Sequence, residues 1–143
     1  MRQAAHKFRS KTDAMNRRVM SWVCQHCRKW YHSNPKGQAC VNCGCKAFFY
    51  FPSKAEARRF ADLCLLFQHN KISDLEVQVA YPIVINGHKI TTYKADFRYR
   101  DKHGQVVVED VKGSSEFTTD VFKLKRKMVE AIYPIKITEV TPS

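Results

Sequence analysis

The amino-acid sequence predicts an α/β (α+β) core, in the order helix, three antiparallel strands, helix, strand, preceded by a small module built on four cysteines. Three observations carry this expectation: alternating helical and strand periodicity from Phe51 onward, an Asn86-Gly87 turn between two β-rich runs, and two Cys-x-x-Cys pairs in the first third of the chain. Composition divides the 143 residues into a basic leader (1–20), a cysteine-rich stretch (21–50) and the α/β part (51–143).

The elements follow in order. Ser53 is a natural N-cap for a helix over Lys54 to Gln68, with Ala57, Phe60, Ala61, Cys64 and Phe67 at helical spacing. Glu76 to Ile85 and Lys89 to Arg100 have the β-branched and aromatic content of strands, and Asn86-Gly87 between them is a hairpin turn. Val106 to Val111 reads as a third strand, entered through Asp101-Lys102-His103-Gly104. A second helix from about Thr119 to Tyr133 places Val121, Leu124, Met128 and Ile132 on one apolar stripe, and Pro134 ends it before a last strand, Ile135 to Val140.

Charge gives the first indication of function. The net charge of +12 calls for a polyanionic partner, and nucleic acid is the default. Residues 1–50 hold ten Lys/Arg against Asp13 alone, whereas residues 51–143 hold 15 basic and 12 acidic residues. The N-terminal part is therefore expected to set the salt dependence of binding, the plainer alternative being a solubilising tail. With neither a run of about 20 apolar residues nor a signal-peptide pattern, a cytoplasmic protein without membrane contact is expected.

Cys24-x-x-Cys27 and Cys40-x-x-Cys43 have the spacing of two knuckles around a tetrahedral Zn²⁺, and a reducing compartment disfavours disulfides. Gly44 suits the residue of positive φ such a knuckle needs. The pattern resembles a zinc ribbon, which implies a structural site with no open position for water. Cys45 reads as a bystander, Cys64 as a core thiol, and His26 and His32 as weaker alternative ligands. Trp30, Tyr31, Phe48, Phe49 and Tyr50 read as the small core around the metal, with base stacking beside Arg28, Lys29 and Lys36 as the other use.

The strand period of two puts Asp110 and Lys112 on one face and Val107, Glu109 and Val111 on the other. In the preceding strand Tyr93, Ala95, Phe97 and Tyr99 form an apolar face, so Asp96 points away with Lys94 and Arg98. A hairpin loop of Lys102 to Gly104, or of Asp101 to Gln105, sets Asp96 opposite Asp110. Carboxylates with Cβ atoms about 5 Å apart repel unless a cation lies between them or one is protonated. A hard divalent ion such as Mg²⁺ resolves the conflict, and Lys112 can reach a metal-bound water or a phosphate, which together supply the parts for phosphodiester hydrolysis. A plain solvated face is the competing reading.

Ala95-Asp96-Phe97, then Asp110-Val111-Lys112-Gly113, with Ser53-Lys54-Ala55-Glu56-Ala57-Arg58-Arg59-Phe60 upstream, resembles a phage and prophage family of PD-(D/E)xK nucleases related to Holliday-junction resolvases. The similarity runs from about Phe51 to Val140 and includes the Phe122-Lys123-Leu124-Lys125-Arg126-Lys127 helix, and it departs from the superfamily pattern in having Ala95 in place of proline. The resemblance implies a restriction-endonuclease-like core in which Asp96 and Asp110 bind catalytic Mg²⁺ or Mn²⁺ and Lys112 positions the nucleophile. It also implies that Glu56 adds a carboxylate, although Ser53-x-x-Glu56 is equally a capping box. Gln78 borders such a site, Glu109 is structural or on the surface, and Lys123, Lys125 and Arg126 are phosphate contacts or a solvated face.

The expectation is thus a Mg²⁺-dependent DNA endonuclease of a phage or prophage, in the cytoplasm of the bacterial host, with branched or junction DNA, a nick, a flap and a specific duplex site all open as its substrate and a homodimer as one assembly to consider. Its rival is a non-catalytic nucleic-acid-binding zinc protein on a nuclease-like scaffold.

Overall fold

The computed structural model describes residues 21–31, 33–113 and 119–141, so the basic leader and His32 lie outside the described residues. The chain divides into two compact units, Met1–Ala57 and Arg58–Ser143.

In the first unit, β1 (Ser21–Cys24), β2 (Trp30–Tyr31) and β3 (Phe48–Phe51) form an antiparallel sheet in the order β2-β1-β3. The sequence reading assigns no strands here, because runs of two to four residues are too short to show alternation. Two matching reversals create them. Arg28 N donates to Cys24 O at 3.1 Å and Gly44 N donates to Cys40 O at 2.7 Å, and the residue after each pair has positive φ, +64° at Arg28 and +75° at Gly44. Glycine at position 44 is the one expected.

Helix α1 (Lys54–Gln68) begins at Ser53 as expected and runs through the boundary between the units. Its expected apolar stripe is only partly correct. Phe60 and Leu63 are buried, while Ala61 and Phe67 are exposed. The helix is rotated because Arg59 is drawn inward, where its guanidinium makes two hydrogen bonds to Glu109, at 2.6 and 2.8 Å.

The second unit holds a four-stranded sheet in the order β4-β5-β6-β7, formed by β4 (Ser73–Ile85), β5 (His88–Arg100), β6 (Val106–Val111) and β7 (Ile137–Val140). The first three strands are antiparallel and β7 runs parallel to β6, reached through helix α2 (Asp120–Ile132). A parallel neighbour needs such a crossover. Thr119 caps α2 by accepting from Phe122 N at 3.1 Å. β7 starts at Ile137 rather than Ile135, since Ile135 N is taken by Tyr133 O in a tight turn after the helix.

Two expectations about faces are corrected. Of the expected Val121, Leu124, Met128, Ile132 stripe of α2 only Met128 packs against the core, and Val121, Leu124 and Ile132 are exposed. Phe122 and Val129 are turned inward with Met128, and Arg126 follows the line of Phe122 and Val129; Val129 joins Tyr81, Ile83, Tyr93, Ala95, Val108 and Ile137 in the core. The four apolar residues of β5 do not share one face either. Tyr93 and Ala95 belong to that α2-side core, whereas Phe97 stacks on Phe60 of α1 and Tyr99 donates to Glu109 at 2.6 Å. The side changes at Asp96. Its neighbours pair as Val79↔Ala95 and Val77↔Phe97, and Gln78, across from Asp96, has φ +55°, a left-handed residue that turns the strand.

Glu109 is 2% exposed and is held by Arg59 and Tyr99. Burial, then the hydrogen bond to Glu109, pushes the Tyr99 hydroxyl up to about 12, so it remains a donor at neutral pH. Removing Arg59 strands a buried carboxylate. Arg59→Met is expected to destabilise the protein by about 3 kcal/mol and Tyr99→Phe by about 1 kcal/mol, both read from denaturant midpoints at unchanged slope.

Candidate active site and metal centre

The β5–β6 ladder pairs Arg100↔Val106, Tyr99↔Val107, Arg98↔Val108 and Phe97↔Glu109. This is the register expected from the loop, and the next positions across from one another are Asp96 and Asp110. The ladder stops before them. Val111 N donates instead to Asp96 Oδ2 at 2.7 Å, a side-chain carboxylate doing what a backbone carbonyl would do in a continued strand. On its other edge β6 continues, with Val111↔Val140 paired and Lys112 N donating to Val140 O at 2.8 Å.

Asp110 sits just past this divergence and is 7% exposed. Tyr93 donates its hydroxyl proton to Asp110 Oδ1 at 3.2 Å, and the Lys112 ammonium lies 2.6 Å from Oδ2. That approach is an ion pair without hydrogen-bond alignment, and Oδ2 accepts no aligned hydrogen bond although it is shielded from solvent. Lys112 is seated from the other side by Phe122, whose ring centroid is 3.7 Å from Nζ. Burial pushes the Tyr93 hydroxyl up, and the charge of Asp110 and the hydrogen bond to it act in the same sense, as does Asp96, so the proton stays on the phenol.

Sequence reasoning assigns neither Tyr93 nor Phe122 to the site. The signal for Tyr93 is general: a buried phenol needs an acceptor, and Asp110 is the acidic residue within its reach. Gln78 lies across β4 and β5 from Asp96. Glu109 takes the structural of its two expected roles. Glu56 belongs to the first unit and makes the capping contacts, with Ser53 Oγ donating to its Oε1 at 3.1 Å and its N–H donating to Ser53 Oγ at 3.2 Å. Lys123 is exposed on α2 and Lys125 half-buried. Arg126 is bound to Glu130, Glu139 and the Ile137 carbonyl.

Asp96 and Asp110 offer the hard oxygen donors that Mg²⁺ or Mn²⁺ takes, and the buried Oδ2 of Asp110, with no aligned hydrogen bond, is a fitting ligand atom. Among the described residues, only the cysteines bring three or more His, Cys, Asp or Glu ligand atoms within 4.8 Å of one another. Two carboxylates are nonetheless the usual protein share of a Mg²⁺ site, since waters and substrate phosphates complete the shell.

The second centre is in the first unit. Cys24, Cys27, Cys40 and Cys43 place their sulfurs within 4.8 Å of one another, with Cys24–Cys43 and Cys27–Cys40 each at 3.5 Å. Sulfurs about 2.3 Å from a tetrahedral zinc are roughly 3.8 Å apart, so the set fits such an ion. All six cysteines are free thiols. Burial would raise Cys40, but the Tyr31 hydroxyl and the Asn42 and Cys43 backbone bring it down to about 6, whereas burial and hydrogen bonds with the neighbouring thiols outweigh the Cys45 backbone and push Cys43 up to about 12. Four thiols this close cannot all ionise without a cation, and a divalent metal removes that conflict. Cys45 Sγ turns to the Ala47 backbone, and Cys64 is half-buried in α1.

Fold and site together define a chain with a four-cysteine knuckle unit and a mixed-sheet unit whose diverging strands carry Asp96, Asp110 and Lys112. The chain belongs to the family described as "Protein of unknown function (DUF1064)", whose family model matches residues 46–142. No curated protein and no solved structure matches it. Among the described residues, no helix is long and apolar enough to cross a membrane.

Protein purified without chelator is expected to carry close to one zinc per chain, and Cys27→Ser to lose it. Elemental analysis of both proteins decides this; equal zinc in the two would remove the cysteine cluster as its site.

Proposed function

We propose that this protein is a metal-dependent DNA endonuclease that hydrolyses phosphodiester bonds with Mg²⁺ or Mn²⁺ held by Asp96 and Asp110. The observation that supports it most is the combination at one strand divergence: two carboxylates across from one another, one nearly buried, with a lysine 2.6 Å from it. Such a set is an unusual choice for a purely structural device, because a carboxylate that is 7% exposed costs desolvation that an apolar residue would not. A bound divalent ion would supply Lewis acidity and lower the pKa of a coordinated water. Tyr93 orients the Asp110 carboxylate, Phe122 holds the Lys112 ammonium toward the site, and that ammonium is placed to pair with a phosphate oxygen when substrate arrives. The net charge of +12 suits the polyanionic substrate. Junction or branched DNA is the substrate class that the resemblance of the Asp96, Asp110 and Lys112 motifs suggests, and the same resemblance suggests a phage or prophage setting. The four-cysteine unit holds a structural zinc in this reading, and Glu56 keeps its capping role at Ser53.

A second reading has its own observation. Lys112 already neutralises Asp110, as in a stabilising ion pair, and a non-catalytic nucleic-acid-binding zinc protein on the same scaffold would need no more.

Purified protein is expected to cut branched, nicked or linear DNA when Mg²⁺ is supplied. Asp96→Asn, which keeps an oxygen to accept from Val111 N, and Asp110→Ala should each lower the rate at least about 10³-fold, comparable to losing a principal electrostatic element of a site, with DNA affinity largely kept. Cleavage that survives both substitutions refutes the site, and a panel of DNA structures left intact by the wild type with either metal favours the binding protein.

A further inference from the structure

We propose that the N-terminal sheet is a stacking platform for unpaired bases of single-stranded nucleic acid, with Trp30 as the base contact and Arg28 and Lys29 as phosphate contacts. This goes beyond the nuclease reading, shares only its polyanionic partner, and does not need Asp96 or Asp110 to be catalytic.

Four observations on the first unit converge. Between Ser21 and Phe51 the chain has seven aromatic residues, which pack in ring pairs such as Trp22–Tyr50 and Trp30–Phe51, yet only Phe51 among them is buried. Aromatic side chains contribute most when buried, and leaving six of them half-buried or exposed in so small a unit points outward. Over the same residues there are four Lys/Arg and no Asp or Glu. A zinc held by four thiolates contributes about −2, which leaves the surface cationic. Charge therefore selects a polyanion over an ordinary protein partner.

Register and backbone locate the platform. Val23 pairs with both Trp30 and Phe49, so these two rings flank the fully buried Val23 on one face of the sheet. Trp30, on the edge strand, is 39% exposed. Arg28 lies on the same face, its guanidinium carbon 5.3 Å from the centre of the Phe49 ring. Arg28 also occupies the left-handed position that the second knuckle gives to Gly44. Glycine would fill that position without strain, whereas the arginine lays its guanidinium on Phe49 with Nη1 shielded from solvent, which fixes the cation on the face that carries Trp30. An aromatic ring beside two cations binds a base by its π-face and the adjoining phosphates by charge, and π-faces are open only where a strand is unpaired.

Both tryptophans of the chain, Trp22 and Trp30, lie in this sheet, so intrinsic emission reports on it alone. The experiment titrates the full-length zinc-loaded protein with oligothymidylate in Mg²⁺-free buffer, using a Trp22→Phe background to isolate Trp30. Expected are quenching by oligothymidylate but not by polyphosphate or polyglutamate, and an affinity, followed by anisotropy of labelled strand, that falls roughly tenfold in Trp30→Ala and is largely restored in Trp30→Phe. Arg28→Gly should weaken binding and lower the salt slope by about one. That variant relieves the left-handed position, and elemental zinc measured for each protein separates lost binding from lost folding. Polyphosphate or polyglutamate acting as strongly as oligothymidylate, or unchanged affinity in zinc-loaded Trp30→Ala, overturns the proposal. Binding through Trp30 by a protein that cuts no DNA would leave the platform standing and refute the nuclease; cleavage by a protein indifferent to Trp30 would do the reverse.

Discussion

The second unit depends on the hydrogen bond from Val111 N to Asp96 Oδ2. A β-strand released from its neighbour leaves an unsatisfied donor, and a buried unpaired N–H costs about 1–3 kcal/mol. Here the carboxylate satisfies it, which lets β6 part from β5 on one edge while the other edge stays paired with β7. The space so opened is where Asp110, Lys112 and Tyr93 meet. The residue that ends the ladder is thus also one of the two candidate metal ligands, and loosening one role loosens the other.

Much of this was readable in the sequence. Ser53 and the spacing after it mark the start of α1, Asn86-Gly87 marks the β4–β5 turn, and the short loop after Arg100 sets the register that puts Asp96 across from Asp110. The faces were less readable, for one physical reason repeated twice. Each helix turns an arginine inward, Arg59 toward Glu109 and Arg126 toward Glu130, Glu139 and the Ile137 carbonyl. Apolar periodicity assigns arginines to solvent and so finds only Met128 of the packed face on α2 and half of the right stripe on α1. The change of face at Asp96 was hidden because it depends on a positive φ at Gln78, a residue type with no marked preference for that conformation.

The two candidate metal centres differ in kind. Four soft sulfurs surround a closed position in one unit, and two hard carboxylates border a partly occupied one in the other. Under the proposed function, ligand softness would sort zinc to the first and magnesium to the second without either site needing high selectivity.

The parallel pairing of β6 with β7 bears on how the second unit is assembled. A two-residue turn joins β4 to β5 and a short loop joins β5 to β6, so Asp96 and Asp110 are brought together by contacts local in sequence. β7 reaches β6 only once α2 has been laid across the sheet, a closure over a longer loop and hence a slower one. Topology thus favours forming the carboxylate pair before the surroundings that bury it. In that order the two like charges first form in water, where a high dielectric makes their repulsion small, and Asp110 is desolvated only when α2 brings Phe122 up against Lys112.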